Sequence, residues 1–502
     1  MMRPLRIFLA ALLSGRPTHG FFNPAVRSVV KLAQRPSSLA SSTIRNPTSI
    51  IDTEEKEVLA PVHSASSENK ISNNLNVRIH GTWYNLSNWR KAHPAGAHWI
   101  DMYDGRDCTE VMDAFHSEKA RGMWQRLPKT DEKTVLMLEK STPEVTSVQQ
   151  KFRELRVKLE DEGWYKRDIF HEAKLLAILS SLVVGAAATA HSIPIVSTML
   201  LSFAFTNCKC TVFTKLCSPS TPFLCINLYL AGWLGHDYIH GTDKFSERMK
   251  MLSSIVAGLG RTFWSDKHNK HHAHTNQMGV DGDMGEGPLL YTYAPDPSND
   301  SIFRNVQHIT FPLVFSLLFV LWRVRSIQIV IPAIEEKRTQ AKEELYSLMF
   351  HYAVLLTLFP LSVWIPAVFI SGLMSAFIVT PTHQSDAYFV DKQEDWVTAQ
   401  FRSTRNAVLT NPFSTWLWGG MHYQLEHHLF PSMPRSKYPK LRAIVQKFAS
   451  ENGLEYLESG EAEILKTNWE LYRDVARADP VHGAPNSSLF NVKDKVQQPV
   501  AL

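Results

Sequence analysis

Lys267-His268-Asn269-Lys270-His271-His272-Ala273-His274-Thr275-Asn276 is the stretch whose reading decides the fold. His268, His271 and His272 stand at i, i+3 and i+4, so they share one helix face with Cβ atoms about 5–6 Å apart. Two other stretches follow the same helical logic: His236-Asp237-Tyr238-Ile239-His240 and Gln424-Leu425-Glu426-His427-His428. Imidazoles from separate helices can then converge on shared metal ions. Neutral imidazole suits iron, copper, zinc and nickel, so the spacing points to a metal site before it points to a metal. With 21 histidines in 502 residues, one such cluster could arise by chance. Three clusters argue against scattered surface histidines.

Apolar runs surround the clusters. A helical span needs about 20 residues. Residues 173–190 and 193–205, split by His191-Ser192, read as one transmembrane hairpin. Residues 345–359 and 362–380, turning near Pro360, read as a second. Residues 309–322 are apolar but short and are followed by Arg323 and Arg325, so they are expected to lie in the membrane interface. Four spans put both termini and all three clusters on one side. Asn207 to Asn227 interrupts the second span with Lys209, Lys215, Pro219 and Pro222, and reads as an insertion or as sequence wrongly assigned to the gene.

Composition sets further bounds. A 44% hydrophobic and 20% charged chain with slightly negative mean hydropathy mixes soluble and membrane parts. Its net charge of +5 is too mild and dispersed for nucleic acid, and it fits an anionic cytoplasmic leaflet. Cys108 stands alone while Cys208, Cys210, Cys217 and Cys225 cluster, which is not a disulfide framework. No acidic residue precedes Asp52, whereas Arg3, Arg6, Arg16, Arg27, Lys31, Arg35 and Arg45 are basic. That composition belongs to a transit-like presequence or to a disordered tail. The expected order is a basic tail (1–73), a small domain (74–140), a charged, solvated linker (141–168), a membrane domain (169–475) and a C-terminal tail (476–502).

The small domain is aromatic and rich in turns. His93 stands before a proline, and His116 follows a helical stretch from Val111 to Phe115. Two histidines at element boundaries are candidate axial ligands. The stretch resembles a cytochrome b5 haem domain, whose H-P-G-G motif appears here as His93-Pro94-Ala95-Gly96 and whose second ligand matches Phe115-His116-Ser117. The departure is Ala95, because alanine tolerates positive φ poorly. The resemblance implies haem b held by His93 and His116, six-coordinate and closed to oxygen, carrying electrons only.

The three clusters in turn resemble the histidine boxes of membrane fatty-acid desaturases: Trp233 to His240, Lys267 to Asn276, and Gln424 to Pro431. The Gln opening the third box, with a haem domain on the same chain, is similar to the front-end type. The implied fold is a small α+β haem domain followed by an all-α, multi-pass membrane domain. The implied cofactor is a pair of iron ions held by His236, His240, His268, His271, His272, His383, His427 and His428. Here His383 in Pro381-Thr382-His383-Gln384 matches the family's further histidine, and His422 is an additional candidate. His191, His308 and His351 are expected to be structural or interfacial.

The implied reaction makes a cis double bond in an acyl-CoA or phospholipid-linked acyl chain, using O2. Electrons come from NADH through a separate cytochrome b5 reductase. An apolar tunnel is expected near residues 364–377, and Asp237 and Glu426 are candidate partners that fix imidazole tautomers. A lipid hydroxylase and a membrane-anchored haem electron carrier share parts of this pattern. A structural zinc site usually takes four ligands, often with cysteine, and fits less well. The architecture implies the endoplasmic reticulum membrane with haem domain and termini cytosolic; the basic presequence argues for mitochondria.

Overall fold

The computed structural model describes residues 75–206 and 233–485, apart from 337, 339, 385 and 391–394. The expectations for the basic tail and for an insertion at 207–227 lie outside those residues.

The N-terminal domain opens on an antiparallel hairpin, β1 (Asn76–Ile79) and β2 (Thr82–Asn85), with Ile79 opposite Thr82. Its two-residue turn, His80-Gly81, has φ of 46° and 74°. Positive φ at both central positions matches the right-handed twist of the strands, and the second is glycine for that reason. Val77, Ile79, Tyr84, Leu86, Ile100 and Trp124 form the domain's own core. Helix α1 (Thr109–Phe115) ends where His116 turns to an extended conformation. The expected difficulty at Ala95 does not arise: the left-handed position falls on Gly96 (φ 107°), and Ala95 is not among the residues with positive φ.

Helix α2 (Ser147–Asp161) starts with a capping box between Thr146 and Gln149. The connector is solvated along most of its length but buries one face. Phe152 and Leu159 are buried in one core with Val111 of α1 and with Trp396, Phe401, Leu425 and Phe430 of the helical part. Arg153 reaches Glu110 at 2.7 Å and Asp107 at 3.3 Å, and Arg121 pairs with Glu160. The connector thus ties the small domain to the helices beyond it.

Helix α3 (Ile169–Thr189) and helix α4 (Pro194–Phe205) make the first apolar hairpin. Helices α5 (Leu234–His240) and α6 (Arg261–Ala273) carry the first two histidine clusters. Next come α7 (Gln307–Ser316) and α8 (Leu318–Glu335), then α9 (Ala341–Leu358) and α10 (Leu361–Val379). The short α11 (Pro381–Gln384) and α12 (Trp396–Ser403) precede α13 (Gln424–Leu429), which holds the third cluster.

Helix α4 packs between α3 and α10 through small residues. Thr198 Oγ1 reaches the Val363 carbonyl at 3.4 Å, and Ser371 Oγ reaches the Ser202 carbonyl at 3.1 Å. Small hydroxylated residues let apolar helices approach closely and still satisfy their polar groups. A Cβ at Gly372 of α10 would stand 2.6 Å from the Ser316 carbonyl, so the α7–α10 contact needs glycine.

The chain carries an apolar helical membrane domain. Among the described residues two helices, Ile169–Thr189 and Leu361–Gln384, are long and apolar enough to cross a membrane. A third joins them if residues 302–316 and 318–335, bent by 57°, form one broken span. The expected count of four is not reached on this measure. The described part of α4 has 12 residues, and α9 opens on Lys342, Glu343 and Glu344.

Candidate metal centre

Each helix offers its histidines for a local reason. On α5, His236 and His240 are one turn apart, and the helix lies close to Ser253: a Cβ at Gly235 would meet the Ser253 Cβ at 2.9 Å. On α6 and α13 adjacent histidines diverge by about 100°, since a helix turns every 3.6 residues. His271-His272 and His427-His428 can therefore each address two different centres.

That divergence is what the structure shows. His236, His240, His268, His272 and His427 form one group, and His271, His383 and His428 form another; within each, candidate donor atoms lie within 4.8 Å of one another. The groups touch: the rings of His272 and His428 stack with centroids 4.0 Å apart. All eight side chains are buried. His422 belongs to neither group and packs on Tyr423 at 4.1 Å.

Tautomers are fixed in the second group. His271 Nδ1 faces Asp281 Oδ2 at 2.8 Å, His383 Nδ1 faces the Ser403 carbonyl at 3.1 Å, and His428 Nδ1 faces Gln400 Oε1 at 2.8 Å. An oxygen acceptor beside Nδ1 places the proton there and leaves the Nε2 lone pair for a metal. His427 Nε2, His428 Nε2 and both nitrogens of His240 have no hydrogen-bond partner among the described residues. Buried polar atoms are almost always satisfied, so this set of converging, unpartnered nitrogens fits metal ions. Burial, reinforced by neighbouring imidazoles, pushes His236, His268, His272, His427 and His428 well below the ordinary imidazole range. His240 is pushed down to about 3, again chiefly by burial. These rings are neutral at pH 7, the protonation state that ligation requires.

The residues expected to fix tautomers are engaged elsewhere. Asp237 pairs with Arg167 at 2.7 Å, and Arg167 also holds Glu172 at 3.0 Å and Asp243 at 2.9 Å. Glu426 accepts from Asn406 at 2.8 Å and from the Tyr456 hydroxyl at 2.5 Å. Asp281 and Gln400 take that role instead, and neither follows a spacing rule that the sequence displays. Gln424, which opens the third box, places Nε2 3.0 Å from His383 Nε2, and its Oε1 is unpartnered among the described residues. Asp281→Asn is expected to weaken metal binding by about 10–100-fold with the helices intact, the usual effect of losing an outer partner. Metal titration of the apoprotein, with circular dichroism alongside, checks this.

An apolar slot reaches His236. It is lined by Phe205 and Thr206 at the end of α4, Leu259, Trp264 of α6, and Phe319 and Trp322 of α8. No residue of 364–377 lines it.

In the N-terminal domain, His93 and His116 face each other with ring centroids 6.1 Å apart. His93 Nδ1 meets the Gly96 carbonyl and His116 Nδ1 the Met112 carbonyl, both at 3.1 Å. Both Nε2 atoms are thereby left for an axial metal bond, an arrangement that fits haem iron between them. Burial lowers His93, and burial with the His93 charge pushes His116 down to about 4. Phe115, beside His116, packs its ring 6.1 Å from that of His272.

The fatty acid desaturase family model matches residues 216–460, and the cytochrome b5-like heme/steroid binding domain model matches residues 64–142. A Delta(6)-fatty-acid desaturase of Caenorhabditis elegans is 29% identical over 462 residues, covering 81% of this chain and 97% of the relative. An acyl-lipid (9-3)-desaturase of Physcomitrium patens is 28% identical over 490 residues, covering 89% and 86%. A Delta(5) fatty acid desaturase of Caenorhabditis elegans is 25% identical over 451 residues, covering 80% and 95%. An N-terminal haem-type domain joined to a histidine-box membrane domain, in the same order and over nearly the full length of these relatives, identifies the chain as a cytochrome b5-fused fatty acid desaturase, an oxidoreductase.

Proposed function

We propose that the chain introduces a double bond into a fatty acyl chain at a two-iron centre. His236, His240, His268, His272 and His427 hold one iron, and His271, His383 and His428 hold the other. The observation that carries this reading is the sorting of eight buried imidazoles into two adjoining groups. The balanced reaction is CH2–CH2 + O2 + 2 e− + 2 H+ giving CH=CH + 2 H2O. Iron supplies the O2 activation that no side chain provides. The chain's own part is to hold the donors, to fix tautomers through Asp281, Gln400 and the Ser403 carbonyl, and to keep the slot at His236 dry and apolar.

Haem b, held by His93 and His116, supplies electrons singly, drawn from NADH by a separate cytochrome b5 reductase. The packing of Phe115 on His272 supports that role by bringing the domain against the metal centre. The substrate is an acyl-CoA or a phospholipid-linked acyl chain. Four spans, α3, α4, α9 and α10, in the endoplasmic reticulum membrane keep the haem domain and both termini cytosolic.

Mass spectrometry of total fatty acids tests the reading, comparing cells that express the wild-type chain with cells that express His271→Ala/His272→Ala. A new unsaturated species that vanishes in the variant is expected. A hydroxylated product instead would assign the chain to hydroxylation.

A further inference from the structure

Arg323 of α8 is 6% exposed, and its Nε and Nη2 have no hydrogen-bond partner among the described residues. Its one recorded hydrogen bond runs from Nη1 to the Phe319 carbonyl of its own helix at 3.4 Å. The guanidinium lies over the rings of Phe205 and Phe319, 4.7 and 5.3 Å from their centroids. Aromatic faces offset part of the cost of burying a cation, but they leave its donors unsatisfied.

His351 of α9 faces the same point. It is 3% exposed, its Nδ1 donates to the Ile255 carbonyl at 3.0 Å, and its Nε2 is unpartnered among the described residues. Between them lies Gly258, at φ +68°. A Cβ there would stand 2.6 Å from His351 Nε2 and 3.1 Å from Arg323 Nε. Two unpartnered polar atoms from different helices therefore converge on a cradle that only glycine leaves open.

The cradle adjoins the slot at His236. Phe205 and Phe319, which cover Arg323, also line that slot, and so does Leu259, next to Gly258. The lining of the slot thus includes both the metal-site residue His236 and the two rings, Phe205 and Phe319, on which the Arg323 cation lies. We propose that Arg323 and His351 seat the carboxyl-derived oxygen of the acyl substrate, the fixed end from which the position of the new double bond is counted. This rests on the desaturase reading and deepens it. The shared chemistry is an acyl carboxyl oxygen, whether a free carboxylate or an ester carbonyl. The guanidinium donates to it and the apolar walls take the first methylenes.

The test is equilibrium binding to the purified full-length chain in lipid nanodiscs, without turnover. The probes are oleate, methyl oleate and 1-octadecene. Arg323→Gln is expected to weaken oleate by about 10–100-fold, the range for losing charge-assisted hydrogen bonds in a buried site, and to leave octadecene unchanged. Arg323→Lys is expected to retain part of the affinity. His351→Phe, which keeps the ring volume, is expected to show the same selective loss and serves where the arginine variant fails to fold. A matching loss for methyl oleate assigns the carbonyl as the recognised group, whereas loss confined to oleate assigns the free carboxylate.

Equal oleate affinity in wild type, Arg323→Gln and His351→Phe would overturn the proposal. So would octadecene losing as much as oleate, because the residues would then act through packing alone. A wild-type chain that seats oleate selectively but makes no double bond would sink the desaturase reading and leave this site standing.

Discussion

Replacing His272 by alanine is expected to lower double-bond formation by more than about 100-fold, beyond the 10–100-fold typical of an outer-shell loss. Non-haem iron should leave the protein while the haem absorbance stays. The expectation follows from position. His272 is fully buried, its Nε2 lies 3.2 Å from His268 Nε2, and its ring stands 4.6 Å from His240, 4.5 Å from His427 and 4.0 Å from His428. It sits where the two groups touch, so its loss disturbs both. His272→Asn, closer in volume, separates lost ligation from a packing void. Iron content by elemental analysis and product by mass spectrometry are the measurements, and full activity in both variants would remove His272 from the site.

His116→Ala is expected to abolish the haem absorbance and to cut NADH-driven product formation by more than about 100-fold, while non-haem iron remains. His116 and His93 are oriented by hydrogen bonds from Nδ1 to backbone acceptors, Met112 and Gly96. A haem with one axial ligand missing is no longer the closed, six-coordinate carrier. The expected dissociation of iron content from haem content separates this variant from His272→Ala. A His116→Ala chain that keeps its NADH-driven turnover would show that electrons enter by another route.

Legibility in the sequence followed the range of the interaction. The histidine clusters were readable because ligand spacing within a helix is local: His236 and His240 are one turn apart whatever surrounds them. His383 has no such neighbour and came only through resemblance. Asp281 and Gln400 were invisible because their roles exist only once α6, α12 and α13 meet. Asp237 and Glu426 sit beside ligands in sequence, but their side chains point to Arg167, Asn406 and Tyr456.

The connector misled through its charge. Phe152, Leu155 and Leu159 form an apolar stripe at i, i+3 and i+7, yet Arg, Glu and Lys between them dominate the composition, and the stripe is what packs. In the membrane part, hydropathy located α3 and α10. It could not foresee that the apolar residues 309–322 run through a break at Leu317 into a helix extending to Glu335. Ala95 was a false alarm for a similar reason: the turn puts its left-handed residue one position later, on Gly96.

The most direct test of the two-iron account is the metal content of the purified full-length chain relative to its haem. Eight imidazoles in two groups predict two non-haem irons for each haem, both lost in His271→Ala/His272→Ala, which contributes a ligand to each group. One non-haem metal per haem, or zinc at full occupancy in a chain that still makes its product, would contradict the account.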